Sequence, residues 1–145
     1  MKTLIKLKIA TIAMVVLFSA GAIAESSNNL TEETCLAMTI YYEARGEPIA
    51  GQYAVADVVL NRVEDERFPD SICDVILQRN QFHWKKVLPR ESQQWTVAEN
   101  IAEDIISNET YRGITEGALY FQAGSRVPPY ADERTKKIGN HNFFL

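Results

Sequence analysis

Between Cys35 and Ala44 the chain leaves a helix almost no polar side. With Leu36 at zero and about 100° per residue, Ile40, Ala44, Ala37 and Tyr41 fill an arc to roughly 140°. Met38, Tyr42 and Cys35 fill roughly 200° to 260° on the same wheel. A helix apolar nearly all round belongs at the centre of a fold rather than on its surface. It carries one carboxylate, Glu43, which falls between Thr39 and Leu36. Burial disfavours the charged carboxylate and lifts its pKa toward that of a general acid at neutral pH. Gly46 is placed to supply a left-handed C-cap, and Pro48 prevents simple continuation of the helix. Glu43 therefore falls in the last turn, beside a loop where a cleft can open. A structural ion pair with Arg45 or another cation is the competing reading, because structural pairs also perturb carboxylates.

Residues 1–24 read as a secretory signal peptide, which leaves residues 25–145 as a single domain. Lys2, Lys6 and Lys8 form the positive start, residues 9–18 the apolar core, and Ala22-Ile23-Ala24 the small-x-small cleavage signal. The apolar run is short against the ~20 residues of a membrane span, so no stable membrane anchor is expected after cleavage. The expected location is periplasmic or secreted. Loss of those three lysines from 15 basic residues leaves 12 against 19 acidic ones, a net charge of −7. That balance disfavours a nucleic-acid partner, since phosphate contact wants a basic surface. It also disfavours binding an anionic polymer by charge alone, whereas neutral sugar imposes no such demand.

Cys35 and Cys73 are the only cysteines. An even pair in an exported chain points to one disulfide, with two buried free thiols as the alternative. A zinc site is disfavoured, because His83 and His141 stand at no familiar spacing from the cysteines.

Thr31 and Thr34 offer a capped start for the first helix, with Glu32 and Glu33 in its first turn where the helix dipole favours acids. Ala54, Val55, Val58, Val59 and Val63 predict a second helix over residues 51–63, with a strand as the competitor because valine is β-branched. Phe68-Pro69-Asp70-Ser71 reads as a turn and cap before a short helix that turns Ile72, Val75 and Ile76 inward. Periodicity stops over residues 78–90, where Gln81-Phe82-His83-Trp84 suits either a sugar-binding wall or a cover for the core. It returns over residues 92–107 with Trp95, Ala98, Ala102, Ile105 and Ile106 in one stripe. Residues 117–121 read as a short strand. Residues 135–138 and 141–144 bracket Gly139-Asn140, a hairpin signal. The sequons at Asn29 and Asn108 carry little weight. No phosphate-cradling glycine motif, His-Glu-x-x-His or Gly-x-Ser-x-Gly elbow is present. A Cys35 nucleophile would be disabled by the disulfide.

Several stretches together resemble the cell wall hydrolase family of the spore cortex-lytic enzyme catalytic domain. They are Ile40-Tyr41-Tyr42-Glu43-Ala44-Arg45-Gly46-Glu47-Pro48, Gly51-Gln52, Val59-Leu60-Asn61-Arg62-Val63, Phe68-Pro69-Asp70 and Gln81-Phe82. Gly117-Ala118-Leu119-Tyr120-Phe121 and Lys137-Ile138-Gly139-Asn140-His141-Asn142-Phe143 complete the series. The Glu-Ala-Arg-Gly-Glu core is specific, and the remaining motifs are strong only in series. The resemblance implies a mainly α fold with a small β-hairpin element, lysozyme-like and similar to lytic transglycosylases, acting on peptidoglycan glycan strands. It maps the catalytic acid onto Glu43. Glu47 is a second carboxylate, and Tyr120, Gln81 and His141 are expected to position substrate, although a lone histidine is more often structural. No metal or organic cofactor is implied. Gln122 stands where the family leads one to expect asparagine, and the Pro-rich loop after it departs from the pattern. No separate peptidoglycan-binding module precedes the domain, so a spore-cortex role is not expected to carry over. Targeting would then come from the cleft or from a protein partner of unknown kind.

The reaction expected is lytic transglycosylation, which leaves 1,6-anhydro-muramic ends, with Glu43 as acid and then base. The alternatives are a hydrolytic muramidase or glucosaminidase, in which Glu47 or Asp57 assists a water, and a non-catalytic cell-wall-binding protein.

Overall fold

The computed structural model describes residues 30–78 and 87–145 of the 145-residue chain. Residues 1–24, expected to be a signal peptide, the Asn29 sequon and the segment containing Gln81 and His83 lie outside the described residues.

Thr31 starts the first helix, α1 (Glu32–Ala44), by accepting the Thr34 N–H on its side-chain oxygen at 3.1 Å. All six residues 35–40 are buried, which is the environment that an all-round apolar helix requires. Around it pack α4 (Gln93–Asn108), α2 (Ile49–Glu64) and α3 (Ile72–Leu77). Ser71 and Ser92 cap α3 and α4 in the same way as Thr31 caps α1. The Trp95 stripe faces this core, and the Tyr53 hydroxyl donates 2.6 Å to Asp104 to fasten α2 on α4.

The helix α2 is buried through both sides. Tyr53, Ala56 and Val59 join the α1 core, while Ala54 and Val58 meet Phe143 and Ala118 in a second cluster beside the sheet. Valine and alanine suit that position, because short side chains let two layers approach one helix. The sheet is antiparallel in the order β1-β3-β2, with β1 (Tyr120–Ala123), β2 (Arg134–Ile138) and β3 (His141–Phe144). The first strand begins three residues later than the sequence pattern predicts. Gly117 has φ +81° and belongs to the preceding turn, and a backbone in the left-handed region cannot lie in a strand.

Gly46 corrects another expectation. It is not among the positive-φ glycines, and Arg45 caps α1 in right-handed helical geometry. The Glu47 N–H bonds the Ala44 carbonyl at 2.8 Å, and Pro48 leads directly into α2. Gly139 is where a glycine is demanded. Its φ is +59° at the first central position of the β2–β3 hairpin, and a Cβ there would collide with the Glu47 carboxylate.

Cys35 and Cys73 form the expected disulfide, closing a separation of 38 residues. Beside it, the Glu32 carboxylate accepts the Ile72 and Cys73 N–H groups at 2.5 and 3.3 Å, a favourable place for negative charge at a helix start. A loop of that length implies about 4 kcal/mol of stabilisation in the chain-entropy model. Cys73→Ser is expected to lower the free energy of urea unfolding by about that amount, and an unchanged midpoint would contradict the assignment.

Candidate active site

Glu43 occupies the last turn of α1 and is half-buried, above the fully buried segment 35–40. Its neighbours are aromatic. Tyr41 meets Tyr42 edge-on at 5.2 Å and Trp95 at 6.0 Å between ring centroids. The Tyr42 hydroxyl donates to the Val87 carbonyl at 2.7 Å. Arg45 lays its guanidinium over the Tyr41 ring, 4.7 Å from the centroid, and forms no ion pair with Glu43 among the described residues.

Glu47 lies just past the end of α1, packed against Gly51 of α2 and Gly139 of the hairpin. Its two oxygens accept the Asn140 N–H at 2.8 Å and the Asn140 side-chain amide at 3.1 Å. Its carbonyl accepts the Gln52 amide at 3.1 Å. His141 follows Asn140 and is only 6% exposed, edge-on to Phe121 at 5.3 Å. Burial holds the His141 pKa below 6.5, and the negative charge of nearby Glu47 offsets part of that effect. Its Nδ1 is buried without a hydrogen-bond partner among the described residues, as is Oε1 of Gln52. Glu47 and His141 thus meet at the hairpin, two of the residues singled out from the sequence.

Tyr120 belongs to a different cluster. It packs against Tyr130 at 5.0 Å and Phe68 at 6.4 Å, with the Arg62 guanidinium 5.5 Å from its ring and 5.1 Å from that of Phe68. Arg62 is 5% exposed and donates from Nε to the Leu119 carbonyl at 2.7 Å. Sequence reasoning gave Arg62 no role. The available signal was an arginine beside Asn61 on an otherwise apolar helix, which needs buried partners for both.

Asp57 does not fit the water-assisting role considered for it. It has no exposed surface and lies in α2. One oxygen accepts the Gly113 N–H at 2.9 Å and an Arg112 guanidinium N–H, and the other accepts the Thr115 N–H at 3.1 Å and hydroxyl at 2.6 Å. Asn61 completes the network by donating to Thr115 and Ala118 and accepting from Arg112. A carboxylate with four donors and no solvent contact is a structural anchor. Among the described residues no group of three His, Cys, Asp or Glu side chains converges as a metal site.

A helical body built round one buried helix, with a small antiparallel sheet docked on its neighbour, is the architecture of lysozyme-like catalytic domains. The chain belongs to the cell wall hydrolase family, whose model matches residues 46–144. That match begins three residues after Glu43. The spore cortex-lytic enzyme of Bacillus subtilis is 34% identical over 110 residues, covering 74% of this chain and 35% of that protein. The Oceanobacillus iheyensis spore cortex-lytic enzyme is 49% identical over 112 residues, covering 74% and 39% respectively. The chain thus spans well under half the length of these two relatives. The catalytic domain of the Bacillus cereus SleB protein superimposes with TM-score 0.64 at 30% identity, covering 79% of this chain and 89% of that one. The catalytic domain of the germination-specific lytic transglycosylase SleB from Bacillus anthracis gives the same two values over 85% and 98%.

Two outcomes are expected from this geometry. Asp57→Asn turns an amide toward backbone donors and should cost about 3 kcal/mol of unfolding free energy, measured by urea denaturation. A fully stable but inactive variant would instead return Asp57 to the chemistry. Burial favours the neutral imidazole of His141 in the folded chain, so the stability linked to it is present above the ordinary histidine pKa and falls as the pH drops below it. Proton NMR of the imidazole should show a midpoint under 6.5, and a midpoint above it would contradict the burial argument.

Proposed function

We propose that this chain cleaves peptidoglycan glycan strands as a lytic transglycosylase, with Glu43 as general acid and then general base. Family membership supports the substrate, and the likeness to a domain titled a lytic transglycosylase supports the reaction. The observation that carries the choice between transglycosylation and hydrolysis is the state of the neighbouring carboxylates. Asp57 is sealed inside its network, and both oxygens of Glu47 are held by Asn140. Neither is placed to orient a water across the scissile bond, as the second carboxylate of an inverting glycosidase does.

In this reading Glu43 donates its proton to the glycosidic oxygen as the bond to the muramic anomeric carbon breaks. The resulting carboxylate takes the proton of the muramic 6-hydroxyl as that oxygen attacks the same carbon. One group serves in both steps, and the products are a free 4-hydroxyl on the leaving sugar and a 1,6-anhydro ring. Attack from within the sugar has a large effective-concentration advantage over a water that no residue positions. Tyr120 and His141 are assigned to positioning, and Gln81 keeps that assignment on the resemblance alone. The same reading takes residues 1–24 as an export signal, since the substrate lies outside the cytoplasm.

Glu43→Gln preserves shape but cannot donate a proton at neutral pH. It should retain the wild-type circular dichroism spectrum and lose at least about a hundredfold in the rate of clearing purified sacculi. Clearing at the wild-type rate would make Glu43 structural. Glu47→Gln is the comparison, expected to loosen the hairpin by about 1 kcal/mol with a smaller loss of rate. Digestion in heavy-oxygen water should give anhydro ends, one water lighter than a reducing end and free of label. Label at new reducing ends would establish hydrolysis and leave only the assignment of Glu43 standing.

A further inference from the structure

A hollow of about 270 Å³ opens beside the sheet, lined by Gly124, Ser125, Arg134, Lys137, Asn140 and Asn142. It is not lined by Glu43. It is tied to the elbow after Glu43 through Asn140, which lines the hollow and donates twice to Glu47.

The two cations reach this hollow because of a register fault. Arg134 pairs with Phe144 and Lys136 with Phe143, so three residues of β2 run beside two of β3. Such a bulge turns the strand by one side-chain phase. Arg134 and Lys137, three residues apart, would point to opposite faces of a regular strand. Here both share the face of Asn142, while Ile138 and Phe143 turn inward to the core. The pairing of β1 with β3 puts Tyr120 and Gln122 on that outer face as well.

The hollow is also preorganised, and its two cations form no direct ion pair among the described residues. Asn142 is 5% exposed, donates to the Gly124 carbonyl and accepts from Arg134 Nη1 at 3.4 Å. Elsewhere Arg67 pairs with Asp65, Arg112 with Asp57 and Glu64, and Lys136 with Glu116. Among the described residues neither Arg134 nor Lys137 makes an ion pair, although the chain as a whole carries net charge −4. Two neighbouring cations without a direct ion pair in an acidic protein favour an incoming anion. The fork of arginine beside asparagine amides suits a planar carboxylate.

We propose that this hollow binds a free carboxylate of the peptide stems attached to peptidoglycan, a subsite distinct from the one that holds the sugars. The inference rests on the glycan-cleaving reading, because it is the substrate of that reaction that supplies the anion. In a peptide-bearing strand the lactyl carboxyl of each muramic sugar is consumed in the amide to its stem, so the free carboxylates belong to the stems. The enzyme then distinguishes strands whose stems end in free carboxylates from strands whose stem carboxylates are amidated.

The test has a binding arm and a rate arm, both on the disulfide-bonded chain. Free stem tripeptide at millimolar concentration should shift the amide NMR signals of Gly124, Asn140 and Asn142. The same peptide with its carboxylates amidated should not, and Arg134→Gln/Lys137→Gln should abolish the shift. In the rate arm, the ratio of kcat/KM on strands with free stem carboxylates to strands with amidated stem carboxylates should fall at least about tenfold in the double variant. Lys137→Gln alone, exposed at a strand position, should lower it partway if the double variant proves unstable. Absence of a shift in the wild type, or a shift that survives in the double variant, overturns the proposal. So does an equal response to the amidated peptide or to inorganic phosphate. Binding is read without turnover, so a chain that cleaves sacculi but ignores tripeptide loses this subsite and keeps its function. One that binds tripeptide but never cleaves keeps the subsite and loses the function.

Discussion

The anchor on which the second half of the structure depends is the buried carboxylate of Asp57. The segment after α4 contains Glu109, Tyr111 and Glu116 at φ between 55° and 60°, a region that costs L-residues energy. Its backbone closes four successive turns, from Glu109 to Ala118, and Asp57 ties them to the helices by collecting Gly113, Thr115 and Arg112 onto a single side chain in the middle of α2. From there Ala118 and Leu119 are delivered to Asn61 and Arg62, and the chain leaves as β1 in register with β3. A charge that water would have stabilised is instead stabilised by four oriented donors, and its partners inherit a fixed position.

The helical half obeys a simpler rule. Residues 35–40 are all buried, and three helices close around them. Glu43 is set one turn above that segment, on the last turn of a helix whose body is buried. Glu47 looks like a second catalytic carboxylate in the sequence, and both its oxygens accept from Asn140 of the hairpin. The proposed chemistry uses one carboxylate because hydrogen bonds hold the oxygens of Glu47 and Asp57.

Much of this was legible in the chain. Thr31, Ser71 and Ser92 marked helix starts because a hydroxyl accepting an N–H is a local event. Gly139-Asn140 marked the hairpin for the same reason. The paired cysteines and the central helix were also readable, since burial on all sides leaves a compositional trace. What escaped was tertiary. Gly46 resembled a left-handed cap, yet the tight entry to α2 through Pro48 kept the elbow right-handed. Asp57 read as a possible catalytic group because its four donors lie more than fifty residues away. The bulge in β2 leaves no periodic mark in five residues, so the shared face of Arg134 and Lys137 was invisible.

The hydrogen bonds between Glu47 and Asn140 join residues 93 positions apart. Closing so long a loop is entropically costly, though the cost rises only slowly with length, and contacts of this kind form late when nearer ones come first. The disulfide and the capped helices need only nearer segments. A chain can therefore reach a state with its helical core assembled while the elbow after Glu43 still lacks its hairpin neighbour. An assembled helical core does not by itself complete the proposed site, since Asn140 must also reach Glu47.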